Sequence, residues 1–447
     1  MTESFTQLRD SLSGDVLTAS DREYERARLC FNLLIDRRPA AIARCVDAED
    51  VAVALAFGQE HGLEIAVRGG GHNPAGHCAV EDGLVIDLSR MRNVAVDPDA
   101  RLATSEGGAT WLDFDAATQA HGLVTPGGVV GSTGVTGLAL GGGIGHLTAQ
   151  YGLTCDNLLA AELVTPGGDM VSASDDENPE LLWALRGGGG NFGVATRLRF
   201  RLHPLERVTG GLFEYAGDGV RDALRAFRDV DARAGNDLSC QAQLSVDESL
   251  TPTLDVAPCY TGPEEDPEEL RALRSASGMT GDGVRPHTFL DQQRVFDPGY
   301  GVDRNYWKSH FVRELSDELI DELLGRMRAL GRPPGAILIE SLRGAPKEVD
   351  PTSAALGYRD AAFNLSVMAS WFDPELDEEY IAWARETAAA IEPSSVSGGY
   401  ANYMQADEPL ERVRAAYGGE AFDRLRALKS RYDPGNVLRR NQNIPPL

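Results

Sequence analysis

The chain has 447 residues, 42% hydrophobic and 25% charged, a composition that supports a sizeable core and leaves room for two or three domains. Sixty-eight Asp and Glu against 42 Lys and Arg leave a net charge of −26, which argues against a nucleic-acid partner or an acidic membrane face. No apolar run of about 18 residues is present to span a bilayer. The first residues carry no basic or apolar signal region, and the six cysteines are scattered without a Cys-x-x-Cys, so a reducing cytoplasm is the expected setting.

Residues 1–35 read as a helical lead-in, and 38–43 as the start of a strand. Asp47 caps a helix over 49–61. Short strands follow at 64–67, 83–88, 94–97 and 102–106, and Thr110 caps a helix reaching about residue 121. Runs 159–165 and 170–174 form a hairpin across Pro166-Gly-Gly-Asp, 180–185 is a helix opened by Asn178-Pro179, and 194–202 is an alternating strand. This is an α+β pattern ending near 206. From 207 to 400 strand-like runs (211–215, 238–246, 253–259, 336–342, 364–371) alternate with amphipathic helices (220–234, 267–276, 317–330, 375–391). That predicts one sheet covered by helices on one face, its free face the floor of a substrate pocket. Residues 401–447 carry helices at 408–417 and 420–432 and a Pro-rich end.

Glycines cluster in three places. Arg68-Gly69-Gly70-Gly71-His72-Asn73 lies between two predicted strands, a loop able to wrap a phosphate or a flat ring with a histidine at its tip; a tight turn with an incidental histidine is the bland alternative. Gly131-Ser132-Thr133-Gly134, Gly137 and Gly141-Gly142-Gly143-Ile144-Gly145 offer backbone donors and small hydroxyls with nothing basic among them. That suits a pyrophosphate held by N–H groups, or tight packing against a sheet, and lacks the Gly-Lys-Ser/Thr of a nucleotide triphosphatase. Gly188 to Gly193 matches G-x-G-x-x-G, but a helix precedes it and a strand follows, the reverse of a Rossmann loop. His72, His77 and Asp82 make a weak metal pattern, so no metal is expected. No Gly-x-Ser-x-Gly elbow occurs. Tyr400-Ala401-Asn402-Tyr403 reads as a strand, with Tyr400 and Asn402 on one side and Tyr403 on the other, suited to orienting a substrate or to ordinary aromatic packing.

Taken together, Arg68–Asn73, Gly137–Gly145, Tyr151–Asn157, Leu185–Gly193, Tyr306–His310 and Arg431–Asn436 with Asn441-Gln442-Asn443 resemble the flavin oxidases related to berberine bridge enzyme, in the vanillyl-alcohol oxidase superfamily. The resemblance runs from about residue 35 to 447 and is strongest to a bacterial subgroup similar to 6-hydroxy-D-nicotine oxidase. It implies a two-subdomain PCMH-type FAD-binding domain (36–206), a substrate domain (207–400) and a C-terminal segment returning to the first (401–447). It implies FAD, with His72 carrying the 8α-methyl of the flavin as a single covalent link. Val130 stands where some relatives have a second, cysteine link, Leu138 where they have a histidine, and Thr133 beside the oxygen pocket. To the glycine loops it adds Asn157, Val194, Asn402 and Asn441 as cofactor contacts.

The implied reaction removes hydride from a C–H next to an O–H or N–H of a small metabolite, with reoxidation by oxygen to hydrogen peroxide. A dehydrogenase using another acceptor and a non-catalytic flavin carrier are the alternatives. Tyr403 is the first choice of base and Tyr400 the second. An ordinary phenol titrates near about 10, so its pKa would have to be lowered. Glu340 is a rival base whose bland reading is a solvent-facing strand residue. Lys308 either lines the pocket or lowers a tyrosine's pKa.

Overall fold

The computed structural model describes residues 2–447. Asp47 caps the helix Ala48–Glu60 by accepting from the Asp50 N–H, which turns Val51, Ala54 and Leu55 onto a sheet below. Gly58 lets that helix lie close, since a Cβ there would meet Ile65 at 2.7 Å. The sheet has four strands, in the order Asp15–Leu17, Ala41–Arg44, Leu84–Asp87, Ile65–Arg68, parallel except for the first. The lead-in is therefore not simply helical. Only Thr2–Ser11 and one turn at Tyr24–Ala27 are helix, and Asp15–Leu17 completes the sheet. Beyond it the chain stays irregular, where Asn32 donates to the carbonyls of Pro74 and Asn305 at 2.7 Å each and so ties the two halves together.

A second, antiparallel sheet holds five strands, in the order Val94–Asp97, Leu102–Glu106, Val194–Arg201, Leu158–Val164, Met170–Ser174. Its packing partner Trp111–Gln119 begins in a capping box between Thr110 and Asp113. Part of the glycine-rich segment that reads as loop is helical, Val135–Leu140, with Val135, Ala139 and Leu140 buried in the same core.

The large sheet has ten strands. Period-two alternation separates its faces. Leu244, Ile337, Ile339, Leu365 and Val367 point into a core with the helices Val220–Arg233, Asp317–Ala329 and Asp377–Ile391. Gln241, Gln243, Leu338, Glu340, Asn364, Ser366 and Trp307 alternate with them on the other face. That face looks toward the first half, where Gln241 donates to the Gly145 carbonyl at 3.2 Å. The strand Arg304–Val312, unforeseen as an element, pairs with Phe363–Trp371 along its whole length. Its polar Asn305, Lys308 and Ser309 hide the alternation in the sequence.

The helices Leu410–Tyr417 and Gly419–Tyr432 return to the first half, packing Val413, Phe422 and Leu425 with Leu181 and Leu185. Lys429 and Asp433, both fully buried, lock the tail: Lys429 Nζ donates to Asp433 at 2.6 Å and to the Asn191 and Leu438 carbonyls at 2.9 Å each. Among the described residues, no helix is long and apolar enough to cross a membrane.

Candidate active site

A deep cleft enclosing about 1700 Å³ of empty space, its open mouth included, runs between the two smaller sheets and opens toward the large one. Of the residues singled out in sequence, Gly69, Gly70, Gly71, His72 and Asn73 line it. So do Thr133, Gly137, Gly141 and Val194, and from the C-terminal third Tyr400, Asn402, Tyr403 and Asn441. The backbone N–H groups of Gly70, Gly71, His72 and Asn73, four consecutive residues of the cleft wall, find no protein partner among the described residues. Glycine is required at 70 because a Cβ would sit 2.3 Å from the Gly134 nitrogen. His72 is stacked on Phe31, ring centroids 4.7 Å apart, and its Nε2 is 2.9 Å from Ser132 Oγ. Burial pulls its pKa down to about 4, against a smaller upward pull from Asp297, so the ring is neutral at pH 7.

Other predicted contacts lie behind the wall. The buried Arg68 does not line the cleft; its Nη1 donates to the Ala27 carbonyl and its Nη2 to the carbonyls of Arg28 and Cys78. Gly131 donates to Asp297 at 2.8 Å. Gly142, Gly143 and Gly145 buttress the wall: the Gly143 N–H donates to Tyr400 Oη at 2.8 Å, and a Cβ on Gly145 would strike the Gly127 carbonyl. Asn157 fastens loops, donating to the carbonyls of Tyr151 and Leu153 and meeting His203 at 2.8 Å.

Tyr400–Tyr403 is not a strand. Ala401–Tyr403 forms a 3₁₀ turn, and the alternation expected of a strand gives way to both tyrosines and Asn402 facing the cleft. Tyr400 Oη accepts from Asn402 Nδ2 at 2.9 Å, and its ring meets that of Tyr403 edge-on at 4.8 Å. Tyr403 Oη donates to Glu340 Oε1 at 3.2 Å, and Asn364 Nδ2 donates to Glu340 Oε2 at 2.6 Å. Glu340 is fully buried, not solvent-facing. Burial raises its pKa to about 7, the two hydrogen bonds opposing only partly. Burial and the neighbouring Glu340 push Tyr403 well above an ordinary phenol, and burial does the same to Tyr400. The lowered phenol pKa that a tyrosine base needs is therefore absent.

Lys308 neither lines the cleft nor lowers the pKa of either cleft tyrosine. It points to the opposite face of its strand, pairing with Glu408 at 2.6 Å and Asp407 at 3.3 Å, and its charge acts on Tyr306. The cleft also brings in residues that sequence reasoning did not single out: Gly187, Gly189, Gly190, Asn191, Tyr300, Trp307, Arg440 and Gln442. Several lie within the quoted motifs, which was the available signal; Tyr300 and Arg440 had none.

A family model described as FAD binding domain matches residues 39–174, and one described as berberine and berberine like matches residues 399–445. The chain is 30% identical to (R)-6-hydroxynicotine oxidase of Paenarthrobacter nicotinovorans over 98% of this chain and 97% of that protein. The chain belongs to the berberine bridge enzyme-like FAD-linked oxidoreductases. An uncharacterized FAD-linked oxidoreductase of Bacillus subtilis is 29% identical over 98% of both chains. The crystal structure of 6-hydroxy-D-nicotine oxidase from Arthrobacter nicotinovorans superposes with a TM-score of 0.88 at 30% identity, over 98% of this chain and 99% of that one. A xylooligosaccharide oxidase of Myceliophthora thermophila shares the fold at a TM-score of 0.84 and 22% identity, over 99% of both chains.

The cleft of this oxidoreductase fits FAD. Four unpartnered N–H groups suit a diphosphate. Gly137 and Gly190 open onto empty space where a side chain would intrude, and Thr136 Oγ1 and Asn441 Oδ1 lack a partner. Beside it, on the floor of the large sheet, lies a second cavity of about 800 Å³, open solvent included, that shares Tyr300 and Trp307 with the cleft.

Proposed function

We propose that this oxidoreductase is an oxidase of a small metabolite, removing hydride from a carbon that bears an O–H or N–H, with Glu340 receiving the proton through Tyr403. The observation that carries this reading is the buried Glu340–Tyr403 hydrogen bond at the junction of the cleft and the sheet floor. A carboxyl near pH 7 is matched to acid–base work at neutral pH, whereas a free phenolate is not available from either tyrosine. Tyr403 keeps its own proton on average: it passes one to Glu340 as it takes one from the substrate. Tyr400 and Asn402 hold the turn that aims it. Bound FAD supplies the two-electron acceptor and dioxygen the terminal one, the product being hydrogen peroxide.

In this reading residues 36–206 hold the cofactor, 207–400 the substrate, and 401–447 close the site. The N–H groups of residues 70–73 hold the diphosphate, and His72 carries the flavin covalently. Support for the last point is the placement of His72 at the cleft wall, neutral, with one ring nitrogen occupied by Ser132 and the other free of protein partners. The test is the visible spectrum before and after acid precipitation. Yellow colour should stay with the wild-type pellet and move to the supernatant in His72→Ala. Colour washing off the wild type would refute the covalent link, and no colour after FAD supplementation would refute the cofactor assignment. Substrate-dependent peroxide then separates an oxidase from a dehydrogenase.

A further inference from the structure

We propose that the second cavity selects a protonated amine, gripped by the Asp303 carboxylate, so that the substrate is a small cationic metabolite with its ammonium at Asp303 and its oxidised carbon at Tyr403. The inference rests on the oxidase reading above and names its substrate class.

Asp303 lines this cavity and is only partly exposed. Its carboxylate has a single donor, Ser370 Oγ at 3.1 Å, and among the described residues it forms no ion pair. The adjacent Arg304 is committed elsewhere, its Nε donating to Asp377 at 2.6 Å. No arginine, lysine or histidine lines the cavity. A carboxylate on a cavity wall without a counter-ion favours a cation and repels an anion, and a neutral ligand covering it would desolvate it without compensation. The walls agree. Phe31, Tyr300 and Trp307 line the cavity, and the Trp307 N–H is already used on Asn305 Oδ1 at 3.2 Å, so the indole offers its ring rather than a donor. Aromatic faces attract ammonium groups. Gln243 and Ser245, lining residues whose side chains make no hydrogen bond within the described chain, remain for the ligand's hydroxyl or carbonyl groups. The cavity adjoins the reaction site, because Trp307 lines both and meets the Tyr403 ring edge-on at 5.4 Å. The net charge of −26 steers cations toward the protein.

The test is a titration of the flavin-loaded enzyme at pH 7.5 with benzylamine and with its neutral isostere benzyl alcohol, read from the visible flavin band, in wild type and Asp303→Asn. Benzylamine is expected to bind the wild type at least about tenfold more tightly than the alcohol, and Asp303→Asn to raise its Kd about 10- to 100-fold while leaving the alcohol unchanged. Equal affinity for the two ligands in the wild type, no perturbation by either, or an amine Kd unmoved in the variant would overturn the proposal. The wild-type comparison decides the matter even if the variant does not fold. A preparation with no flavin band fails the cofactor reading instead, which is visible before any ligand is added.

Discussion

Replacing Glu340 by glutamine should stabilise the protein in alkali while disabling it. Inside the fold the carboxyl sits at about 7 against an ordinary 4.5. The gap, 7 − 4.5 = 2.5, makes ionising it in place cost about 3 kcal/mol more than in the unfolded chain. Below pH 4.5 both states hold the proton and there is no penalty. Between 4.5 and 7 the unfolded chain releases it first, so stability falls as pH rises, and above 7 the full cost is present. Glu340→Gln removes the ionisation and retains an acceptor for Asn364 Nδ2. Urea unfolding followed by tryptophan fluorescence should therefore show the variant gaining on the wild type by about 2–3 kcal/mol between pH 5 and pH 8.5. Stopped-flow flavin reduction should drop about 10²- to 10⁴-fold and lose its inflection near pH 7. A stability difference that does not change with pH, together with reduction within about twofold of wild type, would refute both the buried carboxyl and its role as base.

Gly70→Ala places a Cβ 2.3 Å from the Gly134 nitrogen and 2.6 Å from its Cα, neither of which can swing aside. It should cost about 1–3 kcal/mol and lower the flavin absorbance per protein, and full flavin content would refute the close approach. Lys429→Met strands the fully buried Asp433; it should cost about 3–5 kcal/mol and expose the segment after residue 433 to limited proteolysis. His77, at about 4, and His146 and His310, at about 3, are held neutral by burial. Their contribution is whole above the unfolded value of 6.5 and is lost as pH falls toward 3–4. Thermal melts should fall steeply below pH 6.5, most clearly in Glu340→Gln, where the opposing carboxyl is gone; a Tm flat from pH 6.5 to 5 would count against this.

Elements with a cap or a clean period were legible in the chain. The helix after Asp47, the helix after Thr110 and the strand Leu238–Val246 fall within a residue or two of their expected bounds, because short-range hydrogen bonds and alternation decide them. The strand Arg304–Val312 was not legible, since Asn305 and Ser309 are buried polar residues whose partners come from elsewhere in the fold. The turn at Ala401–Tyr403 was misread for the same reason: Asn402 is held by the Leu138 carbonyl, 264 residues away.

By itself the sequence determined that this chain has glycine loops free of basic residues, a histidine at the tip of one of them, and a sheet with one apolar face. Those are consequences of residue type and spacing. Only the tertiary structure decided what each group can do. It buries Glu340 and so brings its carboxyl near neutrality, raises the tyrosines that looked like bases, and turns Lys308 away into an ion pair. Proton affinity depends on solvent exclusion and neighbouring charge, and both are set by contacts between segments far apart in the chain.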